Sequence, residues 1–212
     1  VVCFNASLWV PELEKIGVLV GASREVDIAS AEGKRLLSTF GITKVPALIL
    51  SKELSAYAEI VANWESIGSI ATDGSYILQG NNPPYYDLAT GELRGEVEVI
   101  LLNDTSCTTC YDVAIHRTIL SRFGMDIKQD SVVDLGSAEG KKLVAQYNIT
   151  AVPTVLVRGG YDFYPGFGQV WASVGTVEED GTAVFRNLGA VGGAYKDLET
   201  GLIVVTEPNA TG

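Results

Sequence analysis

The chain has 212 residues, 47% hydrophobic and only 19% charged, and 26 acidic against 15 basic side chains leave a net charge of −11. That length and apolar content suffice for one large or two small cores. The acidity excludes nucleic acid and anionic lipid as partners, because no basic surface is left to displace counterions from phosphates.

No apolar run approaches the roughly 18 residues of a membrane-spanning helix, so no membrane span is expected in this chain. No basic-then-apolar leader opens it, which predicts a secretion signal either absent or already removed.

An internal repeat organises the rest. Ser30-Ala31-Glu32-Gly33-Lys34-Arg35-Leu36 recurs as Ser137-Ala138-Glu139-Gly140-Lys141-Lys142-Leu143, 107 residues on. The same offset carries Val45-Pro46 onto Val152-Pro153, Trp64 onto Trp171, Gly68 onto Gly175 and Asp73-Gly74 onto Asp180-Gly181. Near the unit ends it slips by three, matching Asp87-Leu88-Ala89-Thr90-Gly91 with Asp197-Leu198-Glu199-Thr200-Gly201. An internal duplication follows, with units expected at 1–94 and 95–212. Run backwards, the offset sets Cys3 on Cys110, so repeat 1 is expected to lack its opening strand and first cysteine in this chain.

In chain order, repeat 1 offers a helical pattern over 55–67, and the fuller repeat 2 gives the whole series. Residues 97–102 are β-rich and predict a strand. Residues 103–106 supply turn and cap chemistry, and 107–123 predict a helix with Val113, Ile115, Ile119 and Leu120 on its apolar side and Gly124 at its end. Residues 131–135 predict a second strand, and Ser137 caps a helix through Tyr147. A third strand, 152–157, is entered at a proline whose missing N–H is tolerated there. A segment with Trp171 follows, then a hairpin of 174–177 and 182–186 turned at Asp180-Gly181. The order is β-α-β-α-β, a helix, then a β-hairpin.

Strand, Cys107-Thr108-Thr109-Cys110 at a helix start, strand, helix, then Val152-Pro153-Thr154 at the head of a third strand: this pattern resembles the thioredoxin-like family. The resemblance covers most of each repeat, and the tandem layout is similar to two-unit protein disulfide oxidoreductases. It implies an α/β fold of two tandem thioredoxin-like units and a cis Pro153 packed beside the cysteine pair, with Pro46 in that place in repeat 1. Ser106 stands where the family often has an aromatic residue, and a helical segment intervenes before the hairpin.

A thiol in the first turn of a helix faces unsatisfied N–H groups and the positive dipole end, which favour its thiolate. Cys107 is then the candidate attacking thiol and Cys110 the resolving one, with Pro153 shaping the groove for an extended peptide. Protein thiols or disulfides are the expected partners. The competing reading is a permanent staple, although so small a loop gives little chain-entropy stabilisation.

A metal reading would use Cys107, Cys110 and His116, but six positions past Cys110 turns His116 to another side of the helix and a fourth ligand is missing. No phosphate-cradling glycine loop, serine nucleophile or convergent acid/base pair stands out, and no cofactor is expected. Trp64 and Trp171 predict core packing. Tyr86, Asp87, Tyr195 and Asp197 are expected to fix the turn between units.

Four Asn-x-Ser/Thr sequons, at Asn5, Asn103, Asn148 and Asn209, hold half of the eight asparagines, where chance would supply about one. They predict an extracytoplasmic glycoprotein, a setting in which disulfides persist. Cys3 is a candidate for an intermolecular or lost-partner disulfide. The second function class is a non-catalytic surface or filament-forming protein, in which the strand-like tail at 202–206 of a neighbour fills the vacancy in repeat 1 by strand addition.

Overall fold

A computed structural model describes residues 3–80, 83–125, 127 and 129–207. Among the described residues the fold is mixed α/β with four small sheets, and the chain divides into two compact units, residues 1–94 and 95–212. No helix among the described residues is long and apolar enough to cross a membrane.

In the first unit, α1 (Trp9–Lys15) and α2 (Ala31–Phe40) precede β1 (Lys44–Val45) and β2 (Ala47–Leu50). There follow α3 (Ala58–Val61), β3 (Ser69–Ile70), β4 (Tyr76–Gln79), β5 (Tyr85–Asp87) and β6 (Glu92–Arg94). The strands form two sheets, ordered β2-β4-β3 and β1-β5-β6.

The helix expected over 55–67 is broken into a 3₁₀ turn (Lys52–Ala56), α3 and a second 3₁₀ turn (Trp64–Ser66). Tyr57 leaves helical geometry at φ −101°, ψ 77°, and its hydroxyl accepts a hydrogen bond from the Leu19 amide at 2.9 Å. A tertiary contact has overridden helical periodicity.

The second unit carries the larger sheet. Its elements are β7 (Val97–Asn103), α4 (Ile115–Ser121), β8 (Gln129–Asp134), α5 (Ala138–Tyr147), β9 (Ala151–Val152) and β10 (Thr154–Gly159). Then come α6 (Phe167–Val174), β11 (Gly175–Val177), β12 (Ala183–Phe185), β13 (Gly193–Asp197) and β14 (Ile203–Thr206). Strand order in the main sheet is β11-β12-β10-β7-β8, with β7 parallel to β8 and antiparallel to β10.

Successive side chains of β7 point to opposite faces, and both faces are covered. Val99 and Leu101 pack with Leu120 of α4 and with Phe167 and Trp171 of α6. Ile100 and Leu102 pack with Leu143 and Tyr147 of α5. The unit is therefore a sheet between helical layers.

The proline divides the expected third strand, so that β9 pairs with β13 while β10 joins the main sheet. The tail expected to be available to a neighbour is β14, hydrogen-bonded to β13 from Gly193↔Thr206 to Lys196↔Ile203. It cannot be the donor strand of a filament while it completes its own sheet.

Local contacts recur between the units at the repeat offset. Ser30 and Ser137 each accept the third amide of the helix they cap, at 2.9 Å, and each hydroxyl donates back to a carbonyl, of Asp27 or Asp134. The indoles of Trp64 and Trp171, both buried, donate to the carbonyls of Ser69 and Thr176. Asp87 and Asp197 each accept two amides of the following turn. These aspartates fix the β5–β6 and β13–β14 turns, each inside its own unit, which corrects the expectation of a turn between units.

One difference stands out. Residues 154–157 of β10 are buried between β7 and β12, whereas the matching β2 pairs with β4 alone and all four of its residues are half-buried. Among the described residues no strand lies on the other edge of β2.

Candidate functional site

Cys107 and Cys110 form a disulfide, with Cα atoms 5.5 Å apart, and both residues are half-buried. They lie in the loop between β7 and α4. The expected helix from residue 107 does not form, because α4 begins only at Ile115.

The reason is local competition for backbone groups. The Asp104 carboxylate takes the Ser106 amide at 2.9 Å, and the Asp112 carboxylate takes that of Ala114 at 2.9 Å. The Cys107 amide donates to the Asp104 carbonyl, and the Tyr111 amide leaves the loop to bond the Ala194 carbonyl of β13 at 2.8 Å. A chain tied in these ways cannot take up i to i−4 bonding until Asp112 is passed. The helix N-terminus expected to favour a Cys107 thiolate is therefore not at the cysteine pair.

Two carboxylates shape the entry to this loop. Asp104 is buried and accepts from Lys196 Nζ at 2.7 Å, Ser106 Oγ at 2.6 Å and the Ser106 amide. The Lys196 bond first, then those from Ser106, hold its carboxyl below the usual carboxylate range. Asp134, at the end of β8, accepts the amide and hydroxyl of Thr105 and the Gly136 amide, and these lower its pKa in turn. Thr105, Ser106, Asp134, Lys141 and Lys196 line an open depression of about 500 Å³. It is not lined by the cysteines or by Pro153.

Behind the pair sits Tyr111, the residue after Cys110. Its hydroxyl donates to the Pro153 carbonyl at 2.6 Å and lies 3.0 Å from His116 Nε2. Val152-Pro153 is cis, as is Val45-Pro46 in the first unit. The fold thus brings Pro153 to the neighbour of Cys110. The His116 ring is 2% exposed, with its edge or face against Phe185 at 4.9 Å between centroids, and burial lowers its pKa to about 4.

His116 is thus engaged with Tyr111 and Phe185, and among the described residues no three His, Cys, Asp or Glu side chains gather to hold a metal. Cys3 is half-buried, and the amide of the following Phe4 bonds the Pro84 carbonyl, the counterpart of Tyr111 on Ala194.

Of the sequon asparagines, Asn5 is exposed and bonds its own Ser7, and Asn148 is exposed in a left-handed turn after α5. Asn103 is half-buried at the end of β7, and Asn209 lies outside the described residues.

Sequence reasoning missed Lys196, whose bond to Asp104 spans 92 positions and leaves no local signal. It also missed the link from Tyr111 to His116. That signal was present in the repeat, where Phe4 and Trp9 hold the same places. Comparison with known protein families, characterised proteins and solved structures finds no match. The geometry defines an α/β protein with a Cys-x-x-Cys disulfide in the loop leaving β7 of its main sheet.

Proposed function

We propose that the protein is an extracytoplasmic thiol–disulfide exchange protein built of two tandem thioredoxin-like units, acting on protein cysteines through Cys107 and Cys110. The observation that carries this reading is the half-exposed Cys107–Cys110 disulfide, on a loop tied through Tyr111 to Pro153. The parallel β7–β8 pair, the antiparallel β10 beside β7 and the cis proline entering β10 support the thioredoxin-like part. The exposed sequons at Asn5 and Asn148 support the extracytoplasmic part.

The exchange conserves electrons. A substrate thiolate attacks Cys107 Sγ, the Cys107–Cys110 bond breaks, and Cys110 leaves as a thiolate that takes a proton from solvent. A second substrate thiolate then attacks the substrate sulfur of the mixed disulfide and releases Cys107. The substrate dithiol has lost two electrons and two protons, and the cysteine pair has gained them.

Titrating the Cys107–Cys110 pair against glutathione tests the reading. A potential between roughly −120 and −270 mV fits a working exchanger, whereas one below about −300 mV marks a structural staple and overturns it. Cys107→Ser is expected to abolish turnover of a model disulfide.

A second reading rests on the edge of β2 on which no strand lies among the described residues: a surface assembly protein that accepts a strand there from another polypeptide. With the tail engaged as β14, the donor in this reading is a segment other than 203–206.

A further inference from the structure

We propose that Tyr111 and His116 are positioning residues that clamp the C-terminal side of the Cys107–Cys110 loop onto the Pro153 loop. The inference rests on the thiol-exchange reading and adds to it the device that holds the pair in place. Cys110 is anchored through its neighbour at two points. The Tyr111 amide bonds Ala194 of β13, and the Tyr111 hydroxyl bonds the Pro153 carbonyl ahead of β10.

The hydrogen bonds fix the direction of the chain. Tyr111 spends its single hydroxyl hydrogen on Pro153 at 2.6 Å, so the 3.0 Å contact with His116 takes the ring Nε2–H as donor. His116 is neutral in this buried position, and its ring is held by Phe185. The relay therefore runs from His116 through Tyr111 to Pro153, and each link orients the next.

The first unit supplies an internal control. Phe4 and Trp9 stand at the repeat positions of Tyr111 and His116, with ring centroids 5.2 Å apart against 5.8 Å in the second unit. The Phe4 amide still bonds across to Pro84, so the backbone anchor persists. An aromatic pair without the hydroxyl thus satisfies the packing and the backbone of this fold. The hydroxyl and imidazole add a buried polar link, which is costly unless satisfied. They appear beside the Cys107–Cys110 disulfide.

A held loop raises the effective concentration of one thiol for the other and so favours the disulfide. The experiment compares the full chain with Tyr111→Phe, His116→Gln and the double variant Tyr111→Phe/His116→Trp, which installs the first unit's ring pair. Each is titrated with glutathione and melted. Tyr111→Phe and the double variant are expected to be about tenfold easier to reduce, about 30 mV less negative. His116→Gln keeps an N–H donor toward Tyr111, and its potential is expected to stay at the parent value.

Unshifted potentials in both Tyr111→Phe and the double variant, with melting unchanged, would overturn the clamp and leave the pair as packing. Should the double variant fail to fold, Tyr111→Phe against His116→Gln still decides. The parent's absolute potential judges the exchange reading separately, because the clamp is read only from differences between variants.

Discussion

Asp104→Asn isolates the charge that anchors the start of the cysteine loop. The carboxylate is buried, with 8% side-chain exposure, and its partner Lys196 is 27% exposed. Asparagine keeps one oxygen for the Ser106 amide and hydroxyl but turns an NH₂ group toward the ammonium. One charge-assisted hydrogen bond is lost, worth about 1.5–3 kcal/mol. Partial solvation of Lys196 sets the expectation toward the lower part of that range, at about 2 kcal/mol.

The loss must depend on pH. The folded-state pKa of Asp104 is depressed, so its contribution is complete above about pH 5 and disappears as pH falls through the folded value. Asp180 and Asp197 are depressed as well, but they are common to both proteins and cancel in the difference; Asp134, which the Asp104 charge pushes upward as the smallest of its causes, cancels only in its larger part. Urea unfolding, read from NMR amide signals of β7 and β10 to report the second unit alone, gives the gap at each pH. A gap of about 2 kcal/mol near pH 7 that narrows between pH 5 and pH 2 is expected. A gap below about 0.5 kcal/mol at pH 7, or one that stays constant on acidification, refutes the anchoring charge.

Gly140→Ala is expected to destabilise the second unit by several kcal/mol in the same urea assay, because a Cβ there falls inside van der Waals contact with the Asp134 carbonyl oxygen. Gly33→Ala should do the same to the first unit through Asp27. A peptide with the sequence of residues 95–104, carrying the β7 strand, is expected to slow hydrogen exchange at the β2 amides on the side away from β4. No change in β2 exchange at millimolar peptide would count against strand acceptance.

Much of the second unit is legible because its signals are local. The β-rich apolar run of β7, the Ser137 cap and the Asp180-Gly181 turn all act within a few residues, and each appears where the sequence places it. The start of α4 was not legible. Val113, Ile115, Ile119 and Leu120 fit a helix, but the bond of Tyr111 to Ala194 decides where it begins, and that partner is 83 positions away. The helix over 55–67 failed for the same kind of reason, through Tyr57 and Leu19. At the site, the cysteine spacing identifies the pair, whereas the ties that place it are long-range and carry no pattern.

The duplication separates what the fold requires from what the site adds. The serine caps, the close-packed glycines, the indole bonds and the aspartate turns occur in both units, and they follow from packing a helix and a hairpin on a sheet. Around the cysteines the units diverge. In the repeat alignment Phe4 holds the place of Tyr111, Trp9 that of His116 and Tyr86 that of Lys196. Three apolar or aromatic positions of the first unit thus become a hydroxyl, an imidazole and an ammonium in the second, each hydrogen-bonded to the cysteine loop or to a residue that holds it. The first unit fills the same places with Phe4, Trp9 and Tyr86, whose polar atoms are an indole N–H and a phenol hydroxyl. In the proposed clamp, the hydroxyl and imidazole of the second unit hold the C-terminal side of the Cys107–Cys110 loop, and the Lys196 bond to Asp104 ties its start.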